Sequence, residues 1–241
     1  MKLSQIVDDI HNDIEKNSYS KIQNFLDADI FNDIRLFLEK KSTEIQNKNF
    51  SIDSSNETQL FNKILQDSKF VELYNGILNK SGIRKCNEQY YVMGLREGQN
   101  KHKTILYHFD AYYLTILFPI IIPDIKHNGK LHLFPKWRKI QKFEIFNFIQ
   151  KFLIQNKISR KLLNFKYFRQ ILNMQEINLD INYIYFFKGY TTVHGVGKHL
   201  KDLRSTAVFH FHNPHKDGFI NEYIKNKHKK DREKILKKIN S

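Results

Sequence analysis

Strand-forming runs in this chain are short and confined to its last two thirds, and one helical stretch interrupts them. That order constrains the fold more than any other feature. Gln89–Leu95, the long run 104–122, Tyr183–Phe187, Thr191–Val196 and Ser205–Phe211 are rich in β-branched and aromatic residues, which suit a pleated, half-buried surface. Between the second and third of these lies 141–172, where Phe146, Ile149 and Leu153 recur on one helical face. A doubly wound parallel sheet needs strands that alternate regularly with helices, and these do not. The pattern predicts a mainly β core with helical additions, a mostly antiparallel barrel or jelly roll.

The first 80 residues read differently. Ile30, Ile34, Phe37 and Leu38 recur at helical spacing, as do Leu60, Phe61, Ile64 and Leu65, and Ser55-Asn56 is a start signal for the second run. The polar stretch 47–56 reads as a loop. The expected division is a helical N-terminal region over 1–80 that packs on the core, a core over 81–223, and a basic tail over 224–241. Leu114–Ile122, nearly all apolar, reads as a buried strand, and Asn128-Gly129 as a two-residue hairpin turn before Leu131–Phe134.

Composition excludes several classes. At 41% hydrophobic and 14% aromatic residues in 241, the chain can bury a core and is not globally disordered. One cysteine, Cys86, excludes a disulfide framework and a cysteine zinc site. No apolar run approaches the roughly 20 residues that a membrane span needs, and the N-terminus lacks the apolar core of a signal peptide; a cytoplasmic protein without a membrane span is expected. The net charge of +15 is uneven: residues 1–80 carry −3 and residues 81–241 carry +18. A basic field of this kind draws anionic small molecules, nucleic acid or anionic membrane. The sequence carries no signal of an oligomeric state.

Chemistry gathers around histidine. The pattern His-x-Asp occurs three times, at His11/Asp13, His108/Asp110 and His215/Asp217, so it is weak alone. On a helix a spacing of two points side chains about 200° apart, which disqualifies His11/Asp13. His215/Asp217 follows Asn213-Pro214 with only the basic tail beyond. His108/Asp110 lies in a strand-like run, where alternate residues face one side, and has chain enough downstream for a third ligand. Two histidines and a carboxylate with open positions make a non-haem iron(II) site, and His194 is the best third candidate. Ten positions on, Arg204 and Thr206 share a strand face; a guanidinium grips a carboxylate in bidentate fashion and a hydroxyl adds a further bond.

This order, His-x-Asp, a distal His, then Arg-x-Thr ten residues later, resembles the Fe(II)/2-oxoglutarate-dependent oxygenases. The flanks, Asn128-Gly129-Lys130-Leu131-His132-Leu133-Phe134-Pro135 and Leu179–His194, resemble the phytanoyl-CoA-dioxygenase-like branch, over roughly residues 89–212. The Gly-Ser-His that often follows the proline there is replaced by Lys136-Trp137-Arg138.

The resemblance implies a double-stranded β-helix, cupin-like in class. It implies Fe(II) on His108, Asp110 and His194, and 2-oxoglutarate held by Arg204 and Thr206. O2 would be the oxidant, with succinate and CO2 released. Asp110 favours hydroxylation over halogenation, since halogenases of the family lack that carboxylate. Tyr91 and Thr104, on preceding strands, are further candidates for a hydroxyl toward 2-oxoglutarate. His210, His212 and His215 are candidates for the substrate side, and Tyr112, Tyr113 and Trp137 for the pocket wall or the aromatic core. The expected substrate is a small or conjugated metabolite, with an anionic one favoured by the basic half. Two other readings stay open: a basic jelly-roll module that binds nucleic acid without catalysis, and a metal-dependent cupin-like enzyme that does not use 2-oxoglutarate.

Overall fold

The computed structural model describes residues 2–23, 25–26, 28–44, 50–53, 59–97, 105–122, 129–135, 137–197 and 203–223. Helix and sheet are mixed, and all strand pairing is antiparallel. Chain order begins with α1 (Leu3–Asn17), β1 (Tyr19–Gln23), α2 (Ala28–Glu44), β2 (Phe50–Asp53), α3 (Gln59–Gln66) and α4 (Ser68–Lys80). Next come β3 (Gln89–Glu97), β4 (Leu114–Ile121), β5 (Leu131–Phe134), α5 (Glu144–Gln155), α6 (Lys157–Asn164) and α7 (Lys166–Ile171). The last strands are β6 (Gln175–Ile177), β7 (Tyr183–Phe187), β8 (Val193–Val196) and β9 (Leu203–Phe211).

A six-stranded sheet has the order β1-β7-β4-β9-β3-β2, and a three-stranded sheet the order β6-β5-β8. Alternation gives the larger sheet two different faces. Ala207, Phe209 and Phe211 of β9, Ile116 and Phe118 of β4, and Ile184 and Phe186 of β7 face the helices α1 to α4. Phe70 of α4 is the hub there, with ring centroids 5.6 Å from Phe118, 5.8 Å from Phe209 and 6.0 Å from Phe211. Asp67 caps α4 by accepting from the Phe70 N–H at 2.8 Å, so the cap fixes the same residue that anchors the helix. On the opposite face, Leu117, Tyr185 and Phe187 pack against Leu131, Leu133 and Ile177 of the smaller sheet. The functional side chains lie between the sheets.

The structure departs from the sequence reading in three places. Residues 1–80 hold two strands as well as helices: β1 pairs with β7, and β2, inside the expected loop 47–56, pairs with β3. Both are short edge strands. Their pairing comes from backbone hydrogen bonds supplied by a neighbour, which leaves little trace in side-chain pattern. Among the described residues β4 and β5 do not pair with each other: β4 pairs with β7 and β9, and β5 with β6 and β8, while Asn128 of the expected turn lies outside the described residues. Gly129 serves a close approach: a Cβ there would stand 2.6 Å from the Gly197 carbonyl oxygen, beside the Gly197 N–H to Lys130 O bond of 2.7 Å. Last, the helical face of Phe146, Ile149 and Leu153 points to solvent. Leu114–Ile120 is buried as expected, and Ile121 is partly buried.

Candidate metal centre

His108 and His194 meet across one antiparallel bridge, each backbone N–H donating to the other's carbonyl at 2.9 and 3.0 Å. The run around His108 is otherwise irregular, yet the bridge aligns the two rings, whose centroids lie 4.3 Å apart. Each ring is oriented by its own backbone. His194 Nδ1 donates to the Thr192 carbonyl at 3.0 Å, and His108 Nδ1 to the Leu106 carbonyl at 3.2 Å. That turns both Nε2 atoms away from the backbone and toward Asp110, the orientation typical of metal-bound imidazole. Asp110 Oδ1 lies 3.3 Å from His194 Nε2 and 3.6 Å from His108 Nε2. The three ligand atoms fall within 4.8 Å of one another.

The other carboxylate oxygen is also committed. Thr115 Oγ1 donates to Asp110 Oδ2 at 2.6 Å, and His210 Nδ1 lies 3.1 Å from that hydroxyl and 3.6 Å from the carboxylate. The Asp110 N–H donates to the Gly189 carbonyl at 3.0 Å. Gly189 is required by space: a Cβ there would fall on Asp110 Oδ2 and Thr115 Oγ1. Burial works to raise Asp110, but the charges of His194 and His210 overcome it and hold the carboxyl well below the usual range. Burial pushes His108 down to about 4, and the neighbouring His194 adds to this. Burial opposes a charge on His194 as well, but Asp110 outweighs it and raises that histidine. An anionic oxygen between two imidazoles, one of them held neutral, is a donor set suited to a divalent cation.

A cavity of about 540 Å³ opens beside these residues. The inner face of β9 supplies Arg204, Thr206, Val208 and His210; Val92 and Gly94 of β3, Leu117 of β4 and Phe187 of β7 continue the wall. Thr206 Oγ1 is buried with no hydrogen-bond partner, an orphan that a ligand oxygen would satisfy. The orphan, the two converging Nε2 atoms and the guanidinium in one cavity fit an iron(II) ion and a dicarboxylate.

The structure thus brings His108, Asp110, His194, Arg204 and Thr206 to one space. Tyr91 does not join them. It pairs with Phe209 on the helix-facing side of β3, ring centroids 6.1 Å apart, while Val92 and Gly94 take the cavity side. Thr104 lies outside the described residues. The three later histidines separate: His210 lines the cavity, His212 ends the strand with φ of 60°, and His215 bonds the Tyr190 hydroxyl at 2.9 Å. Tyr112 stacks on His210 at 5.4 Å, Tyr113 is in the helix-side core, and Trp137 packs on Phe134.

Thr115, Gly189 and Arg160 carry roles that the sequence reading missed. Thr115 left a signal, a hydroxyl inside an otherwise apolar buried run. Arg160 of α6 brings a second guanidinium to the cavity, its Nε buried without a partner; helical periodicity held no hint of it.

No protein-family model and no curated protein matches this sequence. Solved structures do match in fold. A prolyl-4-hydroxylase from Pseudomonas putida aligns over 88% of this chain and 99% of its own, at 12% identity and a TM-score of 0.53. A prolyl hydroxylase from Trichoplax adhaerens, in complex with a hypoxia inducible factor peptide fragment, aligns over 88% and 90%, at 10% identity and 0.58. The alpha-ketoglutarate-dependent epimerase SnoN of nogalamycin biosynthesis aligns over 86% and 83%, at 10% identity and 0.58; it is also known in complex with Fe3+ and alpha ketoglutarate. At these identities the likeness is one of fold. The solved structures that this chain resembles are 2-oxoglutarate-Fe(II) oxygenases, and its His-Asp-His group has the donor set of a non-haem iron site.

Proposed function

We propose that this chain is an Fe(II)/2-oxoglutarate-dependent dioxygenase that hydroxylates a small or conjugated anionic metabolite, with release of succinate and CO2, on a double-stranded β-helix core. The observation that carries this reading is the convergence of His108 Nε2, His194 Nε2 and Asp110 Oδ1 at the wall of a cavity that also holds Arg204 and Thr206. His108, Asp110 and His194 would hold iron, which when bound supplies the activation of O2.

The chain's own groups do the rest. Thr115 occupies Asp110 Oδ2 and so keeps Oδ1 turned toward the imidazoles. The Thr192 and Leu106 carbonyls hold the rings in place. Arg204 and Thr206 bind the distal carboxylate of 2-oxoglutarate through a charged fork and a hydroxyl. Leu117, Phe187 and Val208 form an apolar wall that limits water. Arg160, charged and with an unpartnered Nε in the same cavity, supports an anionic substrate.

Within the superfamily, the stretch Asn128–Pro135 supports the phytanoyl-CoA-dioxygenase-like branch. Cys86 is unpaired, which suits the cytoplasm. Among the described residues no helix is long and apolar enough to cross a membrane.

The test is anaerobic titration of the apoprotein with Fe(II) and then 2-oxoglutarate, followed by visible spectroscopy. The reading expects the weak metal-to-ligand charge-transfer band of a chelated 2-oxoacid, lost in Asp110→Ala and His194→Ala. Folded, iron-loaded protein without that band would refute use of 2-oxoglutarate. Retention of the band in both variants would refute the ligand set.

A further inference from the structure

The helices between the two groups of strands are inside out. On α5, Asn147 and Gln150 turn inward and accept from Arg138 Nη2 and Nη1 at 2.8 and 3.0 Å, and Gln155 reaches the cavity. Arg138 is itself clamped, its guanidinium 3.8 Å from the Phe109 ring centroid and its Nε donating to the Tyr190 carbonyl at 2.7 Å. The polar face is therefore seated and satisfied. The outward face carries Ile145, Phe146, Phe148, Ile149, Phe152 and Leu153, all exposed. α6 and α7 follow through single-residue junctions, Asn156 and Phe165, and extend the pattern: Ile158 is 73% exposed, and Phe165 and Phe152 are each 66% exposed. A soluble surface rarely shows so many large apolar side chains in one stretch unless something covers them.

The charge around this face narrows what the cover is. Residues 139–172 hold eight Lys or Arg and one acidic residue, Glu144, a net of +7. Glu144 is taken, accepting from the Ile220 and Asn221 N–H groups. Lys139, Lys142, Lys157, Lys161 and Lys166 are exposed beside the apolar side chains. A second copy in a two-fold pair would set these five lysines against the same five. The segment 224–241, with eight basic and two acidic residues, has the same sign and is no better a cover. Nucleic acid would call for rings to stack on bases, and Ile and Leu make up about half of the apolar set. An anionic bilayer meets both requirements: apolar side chains enter the acyl boundary while lysines reach the headgroups.

We propose that the outward face of α5 to α7 is a peripheral docking surface for membranes rich in anionic phospholipid. It holds whether or not the metal centre uses 2-oxoglutarate.

The experiment is co-sedimentation of the full chain with phosphatidylcholine vesicles, with and without phosphatidylglycerol. The protein is expected to bind only the anionic vesicles and to be released by salt. Phe146→Ser with Phe152→Ser should weaken binding by about tenfold or more. Lys157→Ala with Lys161→Ala should do so by a similar factor. All four positions are exposed, and circular dichroism checks that the variants fold. Three results would overturn the proposal: no binding to anionic vesicles at low salt, binding that ignores both double substitutions, or a dimer in sedimentation equilibrium that the phenylalanine substitutions dissociate. Binding of single-stranded RNA lost through the same substitutions, without vesicle binding, would assign the face to nucleic acid instead.

Discussion

Thr115→Val separates the shape of the candidate metal centre from its polarity. The side chain is 1% exposed and its hydroxyl donates to Asp110 Oδ2 at 2.6 Å, with His210 Nδ1 3.1 Å from Thr115 Oγ1. Valine has nearly the same volume, so no void opens; only the hydroxyl is lost. A hydrogen bond to a charged group contributes about 1.5–3 kcal/mol. Without it, Asp110 Oδ2 retains His210, at 3.6 Å, and the carboxylate is free to turn. Partners that orient metal ligands typically carry about 10- to 100-fold in metal affinity. We therefore expect Fe(II) or Co(II) to bind Thr115→Val about 10- to 100-fold more weakly by anaerobic calorimetry, with a lower thermal midpoint of the apoprotein. Thr115→Ser, which restores the donor, should return to within about threefold of the parent. If the valine variant folds and binds metal as the parent does, Thr115 does not hold the carboxylate and the account of Asp110 fails.

Other outcomes follow from the same geometry. Gly189→Ala places a methyl on Asp110 Oδ2 and Thr115 Oγ1; calorimetry should show metal affinity reduced by about tenfold or more, with no compensating gain in stability. Arg204→Leu should weaken 2-oxoglutarate by roughly 30-fold or more, as loss of one partner of a buried charged pair does, while metal affinity without 2-oxoglutarate stays near the parent's. His132 is buried, its Nδ1 2.9 Å from the Tyr107 hydroxyl, and burial pushes it down to about 4. Between pH 6.5 and 4 the unfolded chain takes up a proton that the native state refuses, so this stabilisation is complete above 6.5 and lost as pH falls toward 4. The share is on the order of 3 kcal/mol. Urea unfolding of His132→Gln should show a shallower fall across that window, and an unchanged slope would contradict the burial argument.

The part of the site that was legible in the sequence is the part that period-2 alternation decides. Arg204 and Thr206 share a face because they are two apart on β9. His108 and Asp110 reach one side even though their run forms only a single bridge. Alternation does not say which parity faces the cavity, and Tyr91 shows the cost: one position along β3 separates the helix-side core from the cavity wall. His210 meets Asp110 across strands far apart in sequence, so spacing could not pair them, and Thr115, five positions from Asp110, is returned to it by the bends at 111–113 rather than by strand alternation. Gly129 is also needed for a close approach to Gly197, which a turn signal does not reveal; its partner in that signal, Asn128, lies outside the described residues. On α5, a helical stripe names a face but not what it packs against, and here the stripe turns away from the core.

The position of β9 governs how the chain reaches this structure. The last strand among the described residues lies in the middle of the larger sheet, between β4 and β3. During synthesis from the N-terminus, β3 and β4 each keep an open edge until residues 203–211 have left the ribosome. Pairing over such separations is slow and exposed to misassociation. The sheet therefore closes late, in one event, and the strand that closes it carries Arg204, Thr206 and His210. A product that stops short of Leu203 lacks both the keystone of the sheet and the cosubstrate wall of the cavity. Competence to bind and competence to fold arrive together, and quality control that discards the unfolded chain also discards every chain with an incomplete cavity.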